Sequence, residues 1–262
     1  MNLPLIGIDK LLADSWNSML KDWKQTLGWT LGIMFVPTLI NIVFALPQIA
    51  APELRGSFLI QMVAFFLATG TSIYFTAGLF RYFLNKEKPV SVSFQNVVSL
   101  FWIGAIMALI LIPAFLFFII PGIWLAVAFS MAVPIYLNEG KGGWQSIKAS
   151  YSLIKGRWWA TVIRFIIPNF VYGIGVSFIF GVIITIFILV AGAAASGVVL
   201  ALAKGVDSAT ALATLGPVAV ISLIVCALVF LLCFIITNVF LSIAYTSIWT
   251  NLYKSLSETT TQ

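Results

Sequence analysis

Residues 121–159 read PGIWLAVAFSMAVPIYLNEGKGGWQSIKASYSLIKGRWW, and this stretch decides how the chain meets lipid and water. An apolar run opens on Pro121-Gly122 and ends at Asn138-Glu139. A basic amphipathic segment follows and closes on Trp158-Trp159. Just upstream, residues 101–120 are equally apolar. Together, 101–138 is too long for one crossing, since a spanning helix takes about 20 apolar residues. Proline withholds a backbone donor and glycine weakens a helix. Two spans joined by a tight hairpin at Pro121-Gly122 are therefore predicted.

The whole chain follows that lead. Apolar residues make up 61% of its 262 residues and charged residues 8%. A soluble domain carries about 25% charged residues, so this chain cannot cover itself with a wetted surface. Six stretches are long enough to cross a bilayer: 27–48, 57–83, 101–120, 122–138, 161–192 and 216–250. The predicted fold class is all-α, a polytopic helical membrane protein. It has six transmembrane helices plus three cytoplasmic-side interfacial amphipathic helices. Residues 1–26 form the first interfacial helix, 27–253 a single six-span domain and 254–262 a short polar tail. No short basic start runs into an apolar stretch and a small-residue cleavage site, so a retained N-terminus is predicted.

Charge sets the expected orientation, because cytoplasmic loops are rich in Lys and Arg. With the N-terminus inside, the inner side carries Lys10, Lys21, Lys24, Arg81, Lys86, Lys88, Lys141, Lys148, Lys155, Arg157 and Lys254. The outer side has Arg55 and Lys204. An even number of spans returns the C-terminus to the cytoplasmic side, where Lys254 sits. The net charge of +6 is absorbed by this bias and by contact with anionic head groups. It does not call for nucleic acid.

Three segments have the spacing of helices that lie in the head-group plane. In the first, Leu12, Trp16, Met19, Leu20, Trp23 and Leu27 share a face. In the second, Phe94, Val97, Val98 and Phe101 do. In the third, Trp144, Ile147, Tyr151, Ile154 and Trp158 do, with Lys148, Ser152 and Lys155 polar. An aromatic returns seven residues on in each: Trp16 and Trp23, Phe94 and Phe101, Trp144 and Tyr151. Two readings fit: a threefold repeat of one interfacial helix plus two spans, or coincidence in an aromatic-rich chain. Pro37, Pro113 and Pro134 are expected to kink spans one, three and four. Pro168 is expected to split span five into an entry segment and a crossing from 169, because it frees the Arg164 carbonyl. The loop 193–215 is expected to hold a short helix capped by Asp207 or Ser208.

The chemistry is sparse. No histidine is present, which removes His bases and His metal ligands. Cys226 and Cys233 lie seven apart, roughly 10 Å along a helix and beyond disulfide reach. The acidic residues Asp9, Asp14, Asp22, Glu53, Glu87, Glu139, Asp207 and Glu258 fall in loops, interfacial helices or tails. No P-loop, nucleophile elbow or paired carboxylates appear. The chain is read as a non-enzyme with no cofactor and no metal.

Arg164 lies just within span five. It either anchors the helix by snorkelling to the interface or binds a lipid phosphate beside Lys155 and Arg157, since its planar fork matches phosphate. Lys148, Lys155, Arg157 and Arg164 are accordingly the candidate anion or lipid head-group residues. Small residues recur every four positions at Ala64, Ala68, Ser72 and Thr76 in span two, and at Gly173, Ser177 and Gly181 in span five. Such ridges predict close interhelical contacts or a membrane-protein partner. Gln61, Thr69, Thr71, Ser72, Asn169, Tyr172, Asn238 and Tyr245 are expected to find partners on neighbouring helices.

The stretch PGIWLAVAFSMAVPIYLNEG followed by SIKASYSLIKGRWW resembles a group of prokaryotic membrane proteins. The group includes the membrane domain found beside glycerophosphodiester phosphodiesterases, and the YciC-like and related families. Pro121, Gly122, Ile123, Pro134, Glu139, Gly140, Ser150, Ser152, Lys155 and Gly156 carry the likeness. The resemblance implies six helices in a cytoplasmic membrane and implies no reaction. Members often carry an Arg in the span after Pro-Gly-Ile, whereas Trp124 to Ala132 is uncharged here. Two functions are carried forward. One is a lipid-interacting or membrane-organising protein. The other is a transporter or export permease for a lipid-like or anionic solute.

Overall fold

The structure is a computed structural model that describes residues 5–51, 57–86, 90–207, 210 and 217–258. Arg55, Lys88, Glu53, Glu87 and the helix expected from Ser208 lie outside the described residues. Asp207, the other expected cap, accepts the Thr210 amide at 2.9 Å. The chain is 89% helical, with no strand among the described residues. Its helices are α1 (Ile8–Ala50), α2 (Phe58–Leu84), α3 (Phe94–Phe117) and α4 (Ile119–Phe129). After these come α5 (Ala132–Glu139), α6 (Gly143–Ile154), α7 (Trp158–Ala203) and α8 (Pro217–Glu258). Among the described residues, six stretches are long and apolar enough to cross a membrane: Ile8–Ile49, Phe58–Leu84, Phe94–Phe117, Ile119–Glu139, Trp158–Leu189 and Ile224–Glu258. The fold is thus all-α and polytopic, as its composition requires.

The chain forms two compact units, residues 1–169 with 239–262 and residues 170–238. In the first, α1 and α2 pair antiparallel. Asp22 meets Lys86 at 2.5 Å, while further along Trp29 stacks at an angle on Tyr74. Glycine makes the pair close. A Cβ on Gly32 would run into the Phe75 ring, and one on Gly78 into the Trp29 ring. Around this pair, one core cluster joins Ala77, Ile103, Phe129, Tyr136 and Ile147. A second joins Met131, Ile135, Ile154, Leu252, Tyr253 and Leu256. In the second unit, Phe180 of α7 packs edge-on against Phe230 and Phe234 of α8, at 5.9 and 6.0 Å.

Several boundaries differ from the sequence reading. The turn between spans three and four is at Phe118, which is extended (φ −152°, ψ 110°), and not at Pro121-Gly122. Pro121 is the third residue of α4, where a missing N–H leaves no helical bond unmade. Gly122 lets the two helices approach, since a Cβ there would meet the Phe115 ring at 2.7 Å. Pro134 does more than the expected kink. The helix breaks at Ser130-Met131, four residues before it, where the proline ring would crowd the Ser130 carbonyl. Pro168 does not split span five, because α7 continues through it. The stretch from 193 that was expected to leave the helix continues it to Ala203.

The three amphipathic segments are also unlike one another. The first runs without a break into span one, within the 43-residue α1. The second is the opening of α3, which starts with a capping box: Ser93 Oγ accepts the Asn96 amide and Asn96 Oδ1 accepts the Ser93 amide. Only the third, α6, is a separate helix. A threefold repeat of helix plus two spans is not reproduced. The large aromatics Trp16, Trp23, Phe94, Trp144 and Tyr151 of those faces are exposed on the protein. In α1 the buried face is Leu11, Ser15, Met19, Asp22, Thr26 and Thr30, while Trp16, Leu20 and Trp23 are exposed. Ser15, Thr26 and Thr30 on that face are small and hydroxyl-bearing, which lets α1 pack closely there.

Candidate functional site

The site is built on the break in span four. Gly140 ends α5 in the left-handed region (φ +69°), with its N–H on the Tyr136 carbonyl at 3.0 Å. This is the common glycine cap of a helix C-terminus. The chain then reverses, and α6 runs back along α5 and α4. Ser146 donates to the Lys141 carbonyl. Further on, Ser150 reaches the break itself. Its hydroxyl donates to the Ala128 carbonyl at 2.7 Å and accepts the Met131 amide at 3.0 Å. One buried side chain thus satisfies a donor and an acceptor that the broken helix leaves open.

The buried face of α6 is therefore Ser146, Ile147, Ser150 and Ile154; of the apolar face read from the sequence, Ile147 and Ile154 turn to the core and Trp144 and Tyr151 do not. Trp144, Lys148, Tyr151 and Lys155 fall at i, i+4, i+7 and i+11 and form a stripe on its exposed flank. Trp144 is 48% and Tyr151 38% exposed. Lys148 Nζ lies 5.7 Å above the Trp144 ring, a cation–π arrangement.

At the end of α6 the chain makes a type II turn over 154–157. Lys155 (φ −54°, ψ 126°) is followed by Gly156 at φ +82°, and the Arg157 amide donates to the Ile154 carbonyl at 2.9 Å. Glycine is favoured at that third position because φ is positive there. The turn delivers Trp158, whose indole Nε1 donates to the Trp124 carbonyl at 3.1 Å. The Tyr151 ring sits edge-on to Trp124 at 5.7 Å. Trp124, Tyr151, Trp158, Lys155 and Gly156 bound a recess of about 80 Å³, with Ala128 among its walls. Trp159, 72% exposed, follows directly.

The four candidate anion residues do not converge. Lys148 and Lys155 share the α6 stripe. Arg157 is half-buried and engaged. Arg164 serves elsewhere: its Nε donates to the Ile6 carbonyl at 2.7 Å, with further bonds to Ala160 at 3.1 Å and Leu5 at 3.4 Å. Ser255 Oγ accepts the Ile6 amide at 2.9 Å. Arg164 therefore clamps the segment ahead of α1 through backbone carbonyls.

Pro121, Gly122, Pro134, Glu139, Gly140 and Gly156 each have a local task. Glu139 accepts the Tyr253 hydroxyl at 2.7 Å and pairs with Lys141 at 2.6 Å. Asn138 Nδ2 donates to the same Tyr253 oxygen at 3.1 Å, which ties α5 to α8. Nearby, Lys254 Nζ donates to the Phe83 carbonyl at 3.0 Å. A cation is well placed there, at the C-terminus of α2.

The small-residue stripes divide. In span two, Ala64 is buried and Ala68 and Ser72 are half-buried, and the α1–α2 pair also packs rings directly on Gly32 and Gly78. In span five, a Cβ on Gly173 or Gly181 would meet nothing within 4 Å. Ser177 and Gly181 instead line an open groove of about 440 Å³ with Thr185. Three of the eight neutral polar residues turn to their own helices. Thr71, Asn169 and Asn238 donate to the carbonyl four residues back, a local alternative to an interhelical partner. Among the described residues, no group of three or more Cys, Asp or Glu could hold a metal ion.

The roles of Ser150 and Trp124 were not read from the sequence. A serine at i+3 from Ile147 signals a helix-facing hydroxyl, but its two partners lie 19 and 22 residues away. No family model matches the chain, and no curated protein or solved structure matches it.

Proposed function

We propose that this is a non-enzymatic, lipid-interacting or membrane-organising protein of a prokaryotic cytoplasmic membrane, with both termini on the cytoplasmic side. The observation that carries the reading is the exposed stripe Trp144–Lys148–Tyr151–Lys155 on α6, continued by Trp159. Aromatic rings and lysines on one flank match the chemistry of the lipid interface, where rings enter the head-group layer and ammonium groups meet phosphate. The orientation rests on the gathering of Lys86, Lys141 and Lys254 at one end of the first unit, around the α2 and α8 C-termini. The likeness of residues 121–159 to cytoplasmic-membrane families agrees with it.

A permease is the second reading, favoured by the broken helix of span four, since broken helices line many transport sites. The backbone groups freed at that break are taken by Ser150, which tilts the geometry toward the lipid reading. The test is the lipid shell of the protein. In nanodiscs of phosphatidylcholine with phosphatidylglycerol, lipids extracted with the protein should be enriched in phosphatidylglycerol over the bulk. The enrichment should disappear in a Lys148→Gln, Lys155→Gln, Arg157→Gln variant. A wild-type shell with the bulk composition would overturn the reading.

A further inference from the structure

We infer that the recess between α4 and the α6–α7 turn is a binding site for one phosphate group, with Lys155 as its charge partner. The inference rests on the lipid reading above and gives it a defined place and ligand class. Three features of the recess point the same way.

The first is charge. Lys155 borders the recess, and among the described residues its ammonium pairs with no carboxylate: the ion pairs there are Lys86–Asp22 and Lys141–Glu139. An aromatic-walled pocket by itself would suit a quaternary ammonium. A lysine at its edge repels that group and attracts an anion instead.

The second is hydrogen bonding. Trp158 spends its indole N–H on the Trp124 backbone carbonyl, which fixes the Trp158 ring against α4. The Trp124 indole and the Tyr151 hydroxyl donate to no described residue, and both side chains reach the surface, at 40% and 38% exposure. Two neutral donors and one cation around a small space match the acceptor-only oxygens of a phosphate.

The third is size. About 80 Å³ is more than one water needs and far less than a whole lipid. The space takes a compact tetrahedral group. Acyl chains, if present, would lie outside it along the exposed faces of Trp159 and Ile123. The donor set is the same for a phospholipid diester and for free phosphate, so the source is decided by experiment.

The full chain is released gently from nanodiscs of phosphatidylcholine with phosphatidylglycerol and weighed by native mass spectrometry. A delipidated sample is weighed with inorganic phosphate. Wild type, Lys155→Gln, Lys155→Arg and the charge-matched Lys24→Gln are compared, with thermal melting as a check on folding. One retained phosphatidylglycerol is expected on the wild-type protein. Its occupancy should fall about tenfold in Lys155→Gln, the loss of one charge-assisted contact, and persist in Lys155→Arg and Lys24→Gln. A phosphate adduct with the same Lys155 dependence, and no retained lipid, would assign the site to free phosphate. Retention that ignores Lys155, or a wild-type protein with neither adduct, overturns the site. The shell enrichment is a separate readout. If it survives while the retained adduct does not, the recess fails and the broader lipid reading stands.

Discussion

Residues 5–169 with 239–258 and residues 170–238 are both strongly apolar, yet they solve different packing problems. The first unit buries ten polar side chains, among them Ser15, Asp22, Thr26, Ser146, Ser150 and Thr250. In the second, no described residue is buried, and Phe178, Ile188 and Leu189 stand more than half exposed. The difference teaches what holds a membrane helix in place. Lipid tails are as apolar as leucine, so an exposed leucine has little reason to seek protein. Tight packing comes instead where glycines admit rings, as at Gly78 and Trp29, and where broken backbone must be satisfied, as at Ser150.

That contrast can be broken by substitution, and the largest effect is expected at the staple. Ser150→Ala leaves the Met131 amide and the Ala128 carbonyl without their partner. The cost should be about 2–4 kcal/mol, from two unsatisfied buried groups. A large drop in melting temperature, with faster hydrogen exchange at Met131, is the expected result; an unchanged melt would mean the break is held by packing alone. Next is Gly78→Val, which forces the Trp29 ring from its seat. Overpacking of this kind costs about 2 kcal/mol, read as a lower melting temperature and altered tryptophan fluorescence.

Tyr253→Phe is expected to cost about 1 kcal/mol, since it removes the hydroxyl between Asn138 and Glu139 but keeps the buried ring. A double-mutant cycle with Glu139→Gln measures that coupling. The smallest effect is expected in the second unit. Phe180→Ala should cost only about 0.5–1 kcal/mol, the edge-on ring contacts, because lipid replaces most of what the ring touches. If Phe180→Ala matched Ser150→Ala in the same melt, the contrast between the units would fail.

What could be read in advance follows the range of each interaction. Six crossings, the end of span four near Asn138-Glu139 and an irregularity at Pro134 were legible, because hydropathy, caps and proline act on the chain itself, although a kink was expected where the helix breaks. The hairpin was legible, though its turn was misplaced from Phe118 to Pro121-Gly122: proline and glycine mark a helix start as readily as a loop. The α6 stripe was half legible. Its aromatics and lysines were visible, but the serines of the buried face were not, since serine looks polar in a sequence and becomes a packing residue once a carbonyl needs it. Arg164 carried no sign of its partners, because Leu5 and Ile6 lie more than 150 residues away.

The sequence by itself determined that this chain is a bundle of membrane-crossing helices with its basic residues concentrated on the segments between them. Those properties follow from how each residue partitions between lipid and water, one segment at a time. Only the tertiary structure decided which helix faces turn inward, that Ser150 closes the break in span four, that Arg164 clamps the chain before α1, and that Trp124, Tyr151, Trp158 and Lys155 meet around one recess. Those outcomes depend on pairings between distant segments. Inside an apolar bundle such pairings are set by shape and by unsatisfied backbone groups, neither of which hydropathy records.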